Sequence, residues 1–249
     1  KVFLRTPQTL FDVEERRVQA FHRIATVIQA VWRSWKIRKV YIELRNESLD
    51  VFKGQKERNR MSMVRGAVSF FGDFLGLQNT PTDLGLLQPS DNRKILFSDR
   101  VNKINQAFKI QPRGLVLGEA NLYNIKFFDK PKKNGTNFEV RRFTPISEIS
   151  HLSVSRLADN YLVVHVPSTH DYVMETAKKT IFITLLRRQY KKITGKDLEL
   201  KILESIAYKV RKGREKNLNF TKDENVVGNA QTKKSGNVLN VKISSGLNK

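Results

Sequence analysis

The stretch Ile28-Gln29-Ala30-Val31-Trp32-Arg33-Ser34-Trp35-Lys36-Ile37-Arg38 sets large apolar side chains at helical spacing among arginines and lysines. The same period runs outward from it, through Val18, Phe21 and Ile24 on one side and Val40 on the other. Asp12, Glu14 and Glu15 sit where a first helical turn favours carboxylates, and no proline occurs between Pro7 and Pro81. The pattern predicts a helix from about Asp12 to at least Leu44, roughly 50 Å long at ~1.5 Å per residue, behind an irregular lead-in over 1–11. A rod this basic has no proper partner inside a small domain. Its tryptophans need cover from somewhere.

Downstream the pattern changes. Residues 45–60 are polar, a continuation of the helix or a second short one. Residues 61–77 are apolar but interrupted by Gly66, Gly72 and Gly76, which predicts short helices, and 79–92, with Pro81 and Pro89, predicts a loop. From about Arg93 the period shortens. Strands are expected near 114–118, 120–125, 138–143, 149–154, 161–166 and 171–175, then an amphipathic helix over 177–194 stopped by Gly195, then strands at 198–203, 206–210, 217–221 and 237–243. The polar stretch 221–235 reads as a mobile loop. Many short strands followed by one helix indicate an α+β domain, a small antiparallel barrel or sandwich closed by that helix.

The 249 residues carry 46 Lys and Arg against 24 Asp and Glu, a net charge of +22. A charge of that size asks for a counter-surface: nucleic acid, an anionic membrane or an acidic protein. Two segments hold much of it, 93–142 with 12 basic and 4 acidic residues and 178–216 with 13 and 4. Lys130, Lys132 and Lys133 form a basic turn beside Phe127 and Phe128, which suits a lipid headgroup surface or stacked bases, although strand alternation sends at least one of the rings inward. The chain has no cysteine, which excludes disulfides and points to a reducing compartment. No apolar run approaches the ~20 residues of a membrane span. The four histidines show no metal-ligand spacing, and no phosphate-cradling loop is present, so no catalytic residue, metal or cofactor is expected. The start, without Met and without a signal sequence, suggests a fragment.

The opening stretch resembles the IQ motif, IQ-x3-RG-x3-R, which binds calmodulin and related light chains; Ser34 replaces the usual glycine. Ile24, Ile28, Trp32 and Trp35 present apolar surface, Gln29 offers an amide, and Arg33 and Arg38 meet the acidic rims of a clasping partner. Val18–Arg23 echoes only the first half of the motif. Residues 1–15 are similar to the segment where a class I myosin converter hands over to its lever helix. Phe70-Phe71-Gly72-Asp73-Phe74-Leu75-Gly76, 98–108, 113–117 and 236–246 are similar, in order, to that family's basic tail-homology-one domain. The resemblance implies residues 1–60 as converter end and lever helix, with the IQ motif at about 24–40. It implies residues 61–249 as a tail built on a pleckstrin-homology-like antiparallel β-barrel, capped by a C-terminal helix with extra strands. Its phosphoinositide signature puts a lysine on the first strand and basic-x-Arg on the second; Lys103 and Arg113 fill the outer positions, while Gln111 departs from the inner one and Lys109 lies close enough to substitute. The implied function is tethering of anionic membrane to actin-based motility. The implied partners are a calmodulin-like light chain and phospholipid, with Lys103, Lys109, Arg113, Lys130, Lys132 and Lys133 on the lipid. Actin and ATP hydrolysis fall to a motor outside the chain, and the setting is cytoplasmic, at the plasma membrane and cortical actin. The competing readings are a nucleic-acid-binding basic protein and a scaffold for acidic proteins.

Overall fold

The computed structural model describes residues 6–57, 72–91, 93–133, 135–226 and 230–244. They divide into two compact units, 1–47 and 48–249. Helix α1 runs Pro7–Asp50 over 44 residues, roughly 66 Å at the standard rise. It begins earlier than the periodicity predicts, and past Leu44 it continues to Asp50, the first of the two readings of 45–60. Pro7 opens rather than precedes it, because a first-turn residue has no intrahelical N–H to supply. The chain leaves the helix through two left-handed residues, Lys53 (φ 45) and Gly54 (φ 72).

Within the second unit a 3-10 turn, Leu77–Asn79, and a four-residue helix α2, Pro81–Leu84, occupy part of the expected loop. Among the described residues twelve strands and one long helix follow: β1 Phe97–Ile104, β2 Ile110–Leu117, β3 Asn121–Phe127, β4 Phe138–Pro145, β5 His151–Ser155, β6 Tyr161–His165, β7 Tyr172–Glu175, α3 Lys179–Thr194, β8 Glu199–Leu203, β9 Ser205–Lys209, β10 Glu215–Asp223, β11 Ala230–Ser235 and β12 Val238–Ser244. Eight strands form one sheet in the order β4-β3-β2-β1-β7-β6-β5-β8. Seven antiparallel strands followed by a helix match the expected pleckstrin-homology-like succession. Closure does not: β4 and β8 are the edges of this sheet, so no barrel is completed by the described pairings. The antiparallel expectation also yields at two places, where β8 runs parallel to β5 and β12 parallel to β10.

The sheet divides at β1. Eight residues of β1 pair with β2, but only Asn102 and Lys103 pair with β7. The two halves therefore share a core: Phe97, Leu115, Leu117 and Leu122 from one meet Leu152, Val154, Leu162, Val164, Tyr172 and Met174 from the other, with Phe182, Ile183 and Leu186 of α3 between them. Burial of this many large apolar side chains is the main stabilising term, at about 1.5–3 kcal/mol each. The helix ends where the sequence indicates, at Gly195 (φ 73), whose N–H returns to the Lys191 carbonyl at 2.9 Å. Val51 and Phe52, just beyond α1, are buried in the same core.

A second sheet, β11-β12-β10-β9, covers the outer face of β6 and β7 through Ile206, Tyr208, Leu218, Phe220, Leu239, Val241 and Ile243. Strand β11 falls inside the stretch expected to be a loop. Its Gln-Thr-Lys-Lys-Ser sequence is exposed throughout and gives no alternation to read. Residues 58–71, where most of the expected short helices of 61–77 lie, fall outside the described residues.

Candidate functional site

Helix α1 bears the first candidate. Phe21, Ile24, Ile28, Trp32 and Trp35 follow one another at three- and four-residue steps and so share a side of the helix. None is covered: Ile28 is 62% exposed, Trp32 60% and Trp35 54%. The two indoles stack on each other with centroids 5.2 Å apart, and Lys39 Nζ lies 5.9 Å from the Trp35 ring. Val27 and Val40 are exposed off that stripe, and Arg33 projects from the side opposite Trp35. A partner satisfying all of these surrounds the helix. Packing against one flank would leave the rest in water.

The second candidate is a convergence of cations at one end of the eight-stranded sheet. Register places the β1–β2, β3–β4 and β6–β7 turns at that end. Lys103 pairs with Gln111 and Met174, and Val101 with Arg113, so Lys103, Gln111 and Arg113 share the core-facing side of the sheet with Val101, where the apolar filling runs out. Arg142 reaches this end from β4, with its guanidinium 4.0 Å from the Tyr172 ring centroid and its Nη2 donating to Thr169 Oγ1. Lys103 Nζ lies 6.0 Å from the same ring. Burial, then Arg142, Arg113 and Arg211, push the Lys103 ammonium down to about 8. Burial and the same neighbours, Arg142, Lys103 and Arg211, push His170 down to about 4. Among the described residues no carboxylate offsets this shift of Lys103. Arg142 Nη1 is buried and unpartnered, and so are both polar atoms of Asn124, its cross-strand neighbour on the same face. A multiply charged anion at this mouth would offset the gathered cations and accept from Arg142 Nη1 and Asn124 Nδ2, the two unpartnered donors.

Of the residues expected from sequence, Lys103 and Arg113 belong to this cluster. Gln111, the departure from the family signature, holds Arg113: its Oε1 accepts from Arg113 Nη2 at 3.1 Å. Lys109 lies in the β1–β2 turn and is not among the cations acting on Lys103. Lys130, Lys132 and Lys133 are exposed in the β3–β4 turn at the same end, with Lys132 Nζ 4.4 Å from the Phe128 ring. Phe127 packs inward, as alternation requires, beneath Arg100 at 4.9 Å. Sequence reasoning missed Arg142, Arg211, His170 and Tyr172. Arg142 was reachable by counting back in twos from Thr144 and Ile146, which are buried; Arg211 comes from a distant turn and carries no local signal.

Ser153 Oγ, His165 Nε2 and Nδ1, and Asp171 Oδ2 are joined by contacts of 2.9 Å each, the connectivity of a hydrolytic relay. Ser153 is fully buried, however, and Asp171 is occupied by the Val166 and Lys209 amides, so the trio is a structural tie. Among the described residues no group of His, Asp and Glu could hold a metal ion, and no helix is long and apolar enough to cross a membrane.

Known proteins match along nearly the whole chain. Residues 22–42 match the IQ calmodulin-binding motif, and residues 58–248 match the family described as unconventional myosin tail, actin- and lipid-binding. The myosin IA heavy chain of Dictyostelium discoideum is 35% identical over 86% of this chain and 24% of its own length. The myosin heavy chain IB of Acanthamoeba castellanii is 34% identical over all of this chain and 21% of its own. The chain thus spans about a quarter of these relatives or less. Among solved structures, the N-terminal PH domain of human ARAP2 is similar over 39% of this chain and 80% of its own, at 16% identity and a TM-score of 0.30. Neither family match is to a motor domain. The chain belongs to the unconventional myosin tail family and carries, ahead of that tail, an IQ calmodulin-binding motif.

Proposed function

We propose that this chain is the neck and membrane-attachment tail of a class I myosin, with a calmodulin-like light chain wrapped around α1 and a phosphorylated lipid headgroup held at the mouth formed by Lys103, Arg113, Arg142 and Arg211. The observation that carries the lipid reading is the state of Lys103. Its ammonium is half buried among three arginines, and among the described residues no carboxylate supports it. Such a cluster is costly when empty and is relieved by phosphate oxygens, each accepting charge-assisted hydrogen bonds. Light-chain binding rests on the uncovered apolar stripe around Ile28 and Trp32, within the IQ match.

In this reading Lys130, Lys132 and Lys133 supply diffuse attraction to the same bilayer. The family description gives the tail actin as well as lipid, so actin contact need not fall wholly to a motor outside the chain. ATP hydrolysis and force generation belong to such a motor, and the working location is the cortical face of the plasma membrane.

The test is cosedimentation of the chain, with calmodulin bound, on vesicles of phosphatidylcholine alone, with phosphatidylserine, and with phosphatidylinositol bisphosphate, beside gel shift with generic RNA and DNA at physiological salt. The proposal requires bisphosphate vesicles to bind best and nucleic acid weakly. Tight nucleic-acid binding with no vesicle binding would overturn it.

A further inference from the structure

The four-stranded sheet is polarised along its length. At the end of β10 and β12 where those strands finish, cations meet carboxylates: Lys222 Nζ lies 2.7 Å from Glu57 and Lys242 Nζ 2.7 Å from Asp223. At the opposite end they do not. Lys216, near the start of β10, and Lys234, next to the end of β11, both lie over one ring, that of Phe108, at 4.1 and 5.9 Å from its centroid. Arg214 stands close enough to depress the Lys216 ammonium, after burial and Lys234. Among the described residues neither Lys216 nor Lys234 has an acidic partner.

Phe108 is in the β1–β2 turn and has a positive φ of 63, an uncommon conformation for a bulky residue. The turn is held there from the second sheet, by Lys216 Nζ donating to the Gln106 carbonyl at 2.6 Å, and from within, by Asn105 Oδ1 accepting the Ala107 and Lys109 amides at 2.8 and 2.9 Å. Lys109 follows Phe108 directly and is exposed. Like charges gathered on one aromatic ring repel one another, and cation–π attraction of about 0.5–1 kcal/mol at exposed sites offsets only part of that. An anion set against these cations would offset that repulsion.

We propose that Lys216 and Lys234 over Phe108, with Arg214 near Lys216 and Lys109 next to Phe108 in the chain, form a second membrane-contact surface for anionic phospholipid, so that the tail meets the bilayer with both sheets at once. Phe108 and Lys109 lie in the turn of the hairpin that carries Lys103, and Lys216 of the second sheet is bonded to that turn, so a bilayer meeting the turn meets both sheets. An aromatic ring among lysine ammoniums suits the headgroup layer, where rings settle and cations neutralise phosphate. A flat lipid surface fits better than nucleic acid because the ring lies beneath Lys216 rather than free to stack on a base. The inference rests on the membrane reading above but assigns a surface that reading does not need.

The test compares three variants of the full chain with calmodulin bound, on phosphatidylcholine vesicles containing phosphatidylserine and no phosphoinositide. Lys216→Ala with Lys234→Ala removes two cations from the proposed surface. Lys222→Ala with Lys242→Ala removes two from the far end of the same sheet and is the control. Lys234→Ala alone guards against loosening of the turn, since Lys234 is exposed on an edge strand. The proposal expects a loss of roughly ten- to thirtyfold for the first pair, under threefold for the control, and about three- to fivefold for Lys234→Ala. Equal losses for the two pairs would overturn it, as would a first pair that loses RNA affinity while keeping vesicle affinity. Failure of the unmutated chain to bind these vesicles would overturn the membrane reading itself.

Discussion

Lys56 Nζ lies 2.8 Å from Asp159 Oδ2, and Lys179 Nζ lies 3.2 Å from the other oxygen of the same carboxylate, all three side chains being buried. Lys56 also donates to the Ser155 and Leu157 carbonyls, and Lys179 to those of Asp159 and Tyr161. The segment that follows α1 is thereby tied to the β5–β6 turn and to the start of α3. One carboxylate between two ammoniums is a network in which every charge depends on the others.

Asp159→Asn therefore leaves two buried lysines without a counter-charge. We expect a loss of about 3–5 kcal/mol of stability, read as a lower urea midpoint at unchanged slope. The pH dependence has a definite sign. Burial alone raises the Asp159 pKa, but Lys179 and Lys56 outweigh it and hold the group below the ordinary carboxylate value. Its stabilisation is thus present above about pH 4 and is lost as pH falls through the folded-state pKa.

On α1, Ile28→Ala with Trp32→Ala removes two uncovered anchors. Calorimetry of the full chain with calmodulin should show affinity reduced by at least thirtyfold, the effect of losing about 2 kcal/mol or more. Tryptophan emission of the unmutated chain should shift to the blue when calmodulin binds, because Trp32 and Trp35 are both more than half exposed beforehand. Unchanged emission would place the partner elsewhere.

Lys103 gives the lipid site its own pH signature. With its pKa lowered to about 8, its charge is lost between about pH 7 and 9, well before an ordinary lysine titrates. Affinity for phosphatidylinositol bisphosphate vesicles should fall several-fold across that interval, with proton uptake on binding. Lys103→Arg should flatten the profile, since a guanidinium stays charged throughout.

Gly114 packs where β2 meets β3. A Cβ there would stand 2.4 Å from Ile125 Cγ1 and 2.9 Å from Phe127 Cζ. Gly114→Val should destabilise the tail by about 1–3 kcal/mol, seen in thermal unfolding, while leaving calmodulin affinity on α1 unchanged.

Much of this was legible in the sequence. The α1 stripe was readable because its period is local, and α3 because amphipathic spacing ends on a glycine that must turn left-handed. The centre of the sheet was readable from runs such as Tyr161-Leu-Val-Val-His165, which are buried throughout. Strands β1 and β11 were harder, since Ser-Asp-Arg-Val-Asn-Lys and Gln-Thr-Lys-Lys carry little apolar signal and are held by their partners' ladders. The same limit governs the site. Lys103 and Arg113 came from a signature on adjacent strands, whereas Arg142 and Arg211 join them only through the tertiary fold, and the parallel pairing of β12 with β10 that sets Lys234 near Lys216 has no counterpart in residue spacing.

The most direct test of the anion mouth is vesicle affinity of Lys103→Ala with Arg142→Ala, against Lys130→Ala with Lys132→Ala and Lys133→Ala, on phosphatidylserine and on phosphatidylinositol bisphosphate at two salt concentrations. The mouth variant should lose more than tenfold on the bisphosphate lipid and only about threefold on phosphatidylserine, at both salts. The turn variant should lose similarly on both lipids and mainly at low salt, as screened surface charges do. Equal losses of the mouth variant on the two lipids would contradict a headgroup site at Lys103 and Arg142 and leave only a diffuse basic surface.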